Sequence, residues 1–164
     1  MIHGNEVTTL ARYIYSQLLS TPYWSTVLAP NGSNFFRESI PVGVRLENVS
    51  AIFEQIHSED TRGAFGYKLF SEGVYEIRAV CEGSDYSKLE LAANAIDSVF
   101  DWQNIFDTNA GRCKSQDIYV DPVTTDTMTV MCMLRNGPAI YPSNIDGVNY
   151  CHLGGTYYIQ YRVE

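Results

Sequence analysis

The sequence predicts an α+β domain with a mainly antiparallel β-sheet and two amphipathic helices packed on one face. Three observations carry that expectation. The segments run helix, strands, helix, strands, without the regular strand–helix alternation of a parallel sheet. Each helical segment has one apolar stripe to bury. The strand-like segments alternate apolar and polar residues with a period of two. At 164 residues the chain accommodates one domain with a continuous core, spanning 1–164, and leaves little for a second.

In order, residues 6–20 place Val7, Leu10, Ala11, Ile14 and Leu18 at three-four spacing, which lays one stripe along a helix. Asn5 stands where an N-cap belongs, and Pro22 where the helix must have ended. Residues 21–47 lose the pattern and read as a long loop with a turn at Pro30-Asn31-Gly32. Its aromatics, Tyr23, Trp24, Phe35 and Phe36, either cover the core or await a neighbouring subunit. Residues 49–57 are rich in β-branched and aromatic side chains and read as a strand, followed by a polar loop over 58–66. In the strand predicted over 67–82, Tyr75, Ile77, Ala79 and Cys81 share a buried face. Glu76, Arg78 and Glu82 share the other, expected to be largely wet.

A corner with one glycine, Gly83, leads to a second helix over 85–103, with Leu89, Ala92, Ala93, Ile96, Val99 and Phe100 on its apolar side and Ser84 or Ser87 as its cap. Strands are expected over 116–120, 126–136 and 156–164. In the second of these, Met128, Val130, Cys132 and Leu134 alternate against Thr129, Met131 and Met133. Residues 137–155, containing Pro138, Pro142 and Asn144, read as a second long loop.

Chemistry is sparse in this pattern, and no catalytic, cofactor-binding or metal-ligating residue is expected. The net charge is −8, and the eleven Lys and Arg stand singly, which excludes tight nucleic-acid binding through phosphate neutralisation. No run approaches a membrane span, and the N-terminus lacks a basic region followed by an apolar stretch, so synthesis in the cytoplasm is expected. Cys81, Cys113, Cys132 and Cys151 form no Cys-x-x-Cys pair and read as buried or half-buried thiols. His3, His57 and His152 each stand alone. The neighbours Cys151 and His152 point to opposite faces if extended. The serine stretches NGSNFF and EGSDYS lack the second glycine of a nucleophile elbow. At the Gly83 corner a single glycine and the charge of Asp85 speak for helix capping over phosphate binding. Paired carboxylates, Glu59 with Asp60 and Asp97 with Asp101, fit solvated faces.

The stretches SAIFEQIHSED, YEIRAVCEGSDYSKLELAANAIDSVFD and GGTYYIQYRVE, taken with the element order, resemble the tail-completion or tail-terminator proteins of long-tailed bacteriophages. The likeness covers about half the chain and is one of layout and hydrophobic pattern. It implies a non-enzymatic virion protein, assembled in the host cytoplasm as a homo-oligomeric ring, with a hexamer expected. Such a ring sits at the head-proximal end of the tail, ends tail-tube polymerisation, and joins the tail tube protein to the head connector or neck protein. DNA passes through it without specific binding. On that view Glu59 and Asp60, in the loop over 58–63, face the lumen, or else decorate an ordinary solvated hairpin. Tyr23, Trp24, Phe35 and Phe36 are the candidate subunit-interface residues. Other readings are a connector or baseplate subunit, or a small α+β enzyme or ligand-binding domain.

Overall fold

The computed structural model describes residues 4–28, 32–107 and 111–164, without the side chains of residues 4, 5, 106, 107 and 112. Among these the elements are α1 (Gly4–Leu19), α2 (Pro22–Val27), β1 (Phe35–Arg37), β2 (Ser50–Arg62), β3 (Lys68–Glu82), α3 (Glu90–Phe100), β4 (Phe106–Asp107), β5 (Arg112–Cys113), β6 (Asp117–Val120), β7 (Thr127–Ile145) and β8 (Val148–Val163). A six-stranded sheet has the order β1-β2-β3-β8-β7-β6, and β4 and β5 form a separate small ribbon. Neighbours in the large sheet are antiparallel except β1 and β2, which run parallel. The fold is α+β as the sequence predicts, with a mixed sheet.

Both long helices lie on one face. Leu10, Ile14 and Leu18 of α1 and Ala92, Ile96 and Phe100 of α3 join Phe53, Tyr75, Ile77, Tyr157 and Ile159 of the strands in one buried cluster. Asn5 already lies inside α1 and so does not cap it. A short helix follows at once, because Thr21 Oγ1 accepts the Trp24 N–H and Pro22 fills the first helical turn, where its missing N–H costs nothing. Before α3 the chain makes a single 3₁₀ turn, Tyr86–Leu89, capped by the Asp85 carboxylate, which accepts the N–H and hydroxyl of Ser87 at 3.1 and 2.6 Å. Asp85 is therefore the cap in place of Ser84 or Ser87, and the helix ends at Phe100. Gly83, at φ 100, supplies the corner, and its N–H is donated to the carbonyl of Asn149.

Both segments read as long loops contain regular structure. The first holds α2 and β1. Residues 137–155 are instead the outer half of a long β7–β8 hairpin that closes at Asp146 and Gly147, both at positive φ. Pro138 and Pro142 are tolerated there because β6 pairs with β7 only along Thr127–Val130, so the far edge of β7 needs no further N–H donors. Two bulges explain other differences. One between Gln55 and His57 breaks the alternation of β2, which in fact continues to Arg62 through the expected polar loop. Another between Val130 and Cys132 reverses the parity of β7, so Met133 joins Met128 and Val130 in the core while Cys132 and Leu134 are half-buried.

Candidate functional site

The face of the sheet opposite the helices is not wet where β2, β3 and β8 meet. Beyond β1 the chain folds back over it and packs Ile40, Val44 and Leu46, with Phe36 of β1 itself, on Ile52, Val80 and Tyr150. Glu82 holds this cover in place. It accepts Arg45 Nε and Nη2 at 2.8 and 2.6 Å and the N–H of Leu46 at 2.8 Å, and these bonds hold its carboxyl below the usual range.

Next to this apolar patch lies a cluster of polar side chains, brought together by strand pairing. Arg78 is opposite Gly154 on β8 and Ile52 on β2, and Tyr141 of β7 is opposite His152 of β8. Arg78 is only 4% exposed and Glu76 8%. Arg78 Nη1 lies 2.8 Å from Glu54 Oε2 and 2.5 Å from Glu76 Oε1. Neither contact has hydrogen-bond direction, so both act through charge alone. Arg78 Nε donates to His152 Nδ1 at 3.1 Å, and Nη2 to the carbonyl of Glu38 at 3.5 Å. The Tyr141 hydroxyl donates to Glu76 Oε1 at 2.5 Å, while its ring stacks on His152 with centroids 4.7 Å apart. Burial, and then the bond to Glu76, push the Tyr141 hydroxyl pKa well up, so it stays a donor.

Ser143 Oγ is 2.7 Å from His152 Nε2, the spacing of a serine–histidine nucleophile pair. The electrostatics are reversed, however. In a hydrolase the far nitrogen of the histidine donates to a carboxylate, which stabilises the imidazolium. Here that nitrogen, Nδ1, accepts from an arginine, so the proton sits on Nε2 and is donated to Ser143. Burial, followed by the charge of Arg78, pulls the His152 pKa down to about 4. The ring cannot take the serine proton, and the cluster is suited to holding β3, β7 and β8 in register.

The other expected residues are scattered. Asp60 lies on the helix side, where Lys68 Nζ bridges it at 3.0 Å and also contacts Glu6. Glu59 points to the opposite face, across from Glu72, so the two acids belong to a strand where a loop was expected, and their side chains leave it on opposite faces. Trp24 is fully buried, with its Nε1 donating to the carbonyl of Ala92 at 3.2 Å, and so has no surface for a neighbouring subunit. Tyr23 and Phe35 pack against the main core and Phe36 against the smaller one, each half-buried. Asp97 accepts from Tyr157 at 2.5 Å and pairs with Arg135, whereas Asp101 binds Asn104. Cys81 and Cys151 are buried free thiols with sulfurs 3.4 Å apart, and Cys113 is exposed, unlike the expectation for it. His57 is exposed, Cys151 and His152 do face opposite ways, and His3 and the turn at Pro30-Asn31 lie outside the described residues.

Among the described residues, no group of three or more His, Cys, Asp or Glu could hold a metal ion, and no helix is long and apolar enough to cross a membrane. The residues that sequence reasoning missed are Glu54, Glu76, Tyr141 and Ser143 around Arg78. An arginine flanked by alternating apolar residues on a strand was the available signal. No protein-family model and no curated protein matches the chain.

Proposed function

We propose that the chain is a structural subunit of a phage-type tail, forming a closed ring at its head-proximal end that stops tube growth and receives the head connector. The observation that carries this reading is the β2–β3 hairpin. Its last pairs, Thr61↔Phe70 and Arg62↔Lys68, run past the final β3–β8 pair, Ser71↔Tyr161. Beyond them Phe65 and Tyr67 are exposed, as is Leu69 at the register shift between the two pairs. An arm with an apolar end is what a subunit needs to grip a neighbour.

Charge supports the same reading. Glu59 and Glu72 stand directly opposite each other, an arrangement that costs stability in a sheet, and Glu72 is steadied by the hydroxyls of Tyr158 and Thr61. A negative surface of this kind suits a channel for DNA, since it offers no counterion-release affinity. The test is a phage lacking the chain. Unjoined heads and tails of uncontrolled length are the expected result, and normal virions would overturn the proposal.

A further inference from the structure

The end of the β2–β3 hairpin places a large aromatic residue at a turn position that glycine would fill without strain. Phe65 is 97% exposed, yet it adopts φ 70 and ψ 9, a left-handed conformation that is strained for a bulky residue. The frame that imposes this is well bonded. The Gly63 N–H is donated to the Tyr67 carbonyl at 2.8 Å, the Gly66 N–H to Gly63 at 3.1 Å, and Arg62 Nη1 to the Gly66 carbonyl at 3.2 Å. A rigidly presented aromatic ring beside an arginine has the chemistry of an interface anchor.

A second surface of the same chain is complementary to it. Between α3 and the β7–β8 hairpin lies a cleft of about 240 Å³, lined by the apolar Ala93, Pro138, Ile140 and Leu153. Of its charged groups, Asp97 and Arg135 are ion-paired with each other at 3.1 Å, which leaves Glu90 to set the charge of the cleft. A cavity of about 150 Å³ already admits a benzene ring. In the more apolar cleft beside α1, lined by Ala11, Tyr15 and Phe35, Arg12 is ion-paired with Asp121, and Arg37, which among the described residues hydrogen-bonds only the Thr8 hydroxyl, leaves a positive charge that would repel Arg62. Arg78 of β3 is paired with Gly154 at the first cleft, while Lys68 of the same strand begins at the hairpin end, a separation of about 30 Å at strand rise. One chain therefore cannot fill its own cleft.

We infer that the hairpin end docks into the α3–β7 cleft of a second copy of this chain, with Phe65 in the cleft and Arg62 facing Glu90. The contact is heterologous, head to tail, and its repetition around a closing rotation builds a ring. This rests on the ring reading above and names the contact that would form it.

Charge reversal tests it in a phage lacking the native chain and supplied with variants. Arg62→Glu and Glu90→Arg should each lower the yield of joined particles by about tenfold, and the double variant should restore it to within about threefold. Phe65→Gly relieves the backbone strain, so it should melt no lower than the parent while joining as poorly as either single reversal. Normal joining by all three single variants, with a ring still visible in the particle, would overturn this contact and leave the ring reading standing. Particles whose joining region contains no ring of this chain would overturn both.

Discussion

The two faces of the sheet are held by different forces. The helix side is hydrocarbon: Trp24, Phe53, Ile77, Phe100 and Ile159 interlock in one cluster, and its loss terms are those of transfer and cavity. The opposite face sets a small apolar patch beside an arginine held by two carboxylates and a histidine, with its guanidinium over the Tyr141 ring. Buried charge gains little over an apolar replacement but loses heavily when one partner is removed. The first face should thus degrade in proportion to volume lost, and the second should depend on which partner is left behind.

The largest effect expected on each face separates the two. Trp24→Ala should cost about 3–5 kcal/mol in denaturant unfolding, because it empties a fully buried site and removes the indole bond to the Ala92 carbonyl. Arg78→Ala should cost about as much, roughly 3–5 kcal/mol, by stranding Glu76 and Glu54. Replacing the group together, as Arg78→Met with Glu76→Leu and Tyr141→Phe, should recover roughly half of that loss or more. If the triple variant is no more stable than Arg78→Ala, the second face is not governed by unpaired charge.

Next comes pH. The His152 pKa is about 4 in the fold, against about 6.5 for an unfolded histidine. Between those values the unfolded chain binds the additional proton, so stability should fall as pH drops from about 6.5 to about 4, by roughly 3 kcal/mol in all. In unfolding measured across that range, His152→Gln should remove this component of the slope, whereas a change confined to the helix side should leave it in place. Smaller again, Tyr141→Phe should cost about 1–2 kcal/mol by taking a donor from buried Glu76. The smallest expected change lies on neither face: Phe65→Gly should raise stability by about 1 kcal/mol in thermal unfolding, since only strain is removed.

The contrast also explains how much could be read from the chain. The helix-side pattern was legible because periodicity records apolar burial directly: Leu10, Ile14, Leu18, Tyr75, Ile77, Ile96 and Phe100 all stand where three-four or two-residue spacing puts them. The opposite face was misread as wet because Glu76 and Arg78 look solvated in sequence. They are buried only once the cover beyond β1 closes and Glu54, Tyr141 and His152 arrive from three other strand segments. Strand ends were hidden by the bulges after Gln55 and Val130 and by Pro138 and Pro142, which sit on an edge that β6 leaves open. The aromatics of residues 21–47 had two open readings, and packing drew Trp24 wholly into the core. The exposed Phe65, by contrast, carries no periodic signal, and only its backbone conformation sets it apart.

The ring itself is tested most directly by a cryo-electron microscopy map of the assembled particle. A closed ring of this chain around the DNA channel, at the head-proximal end of the tail, is the expected result. Density for the chain elsewhere in the particle, or a complete particle without it, would contradict the proposed function.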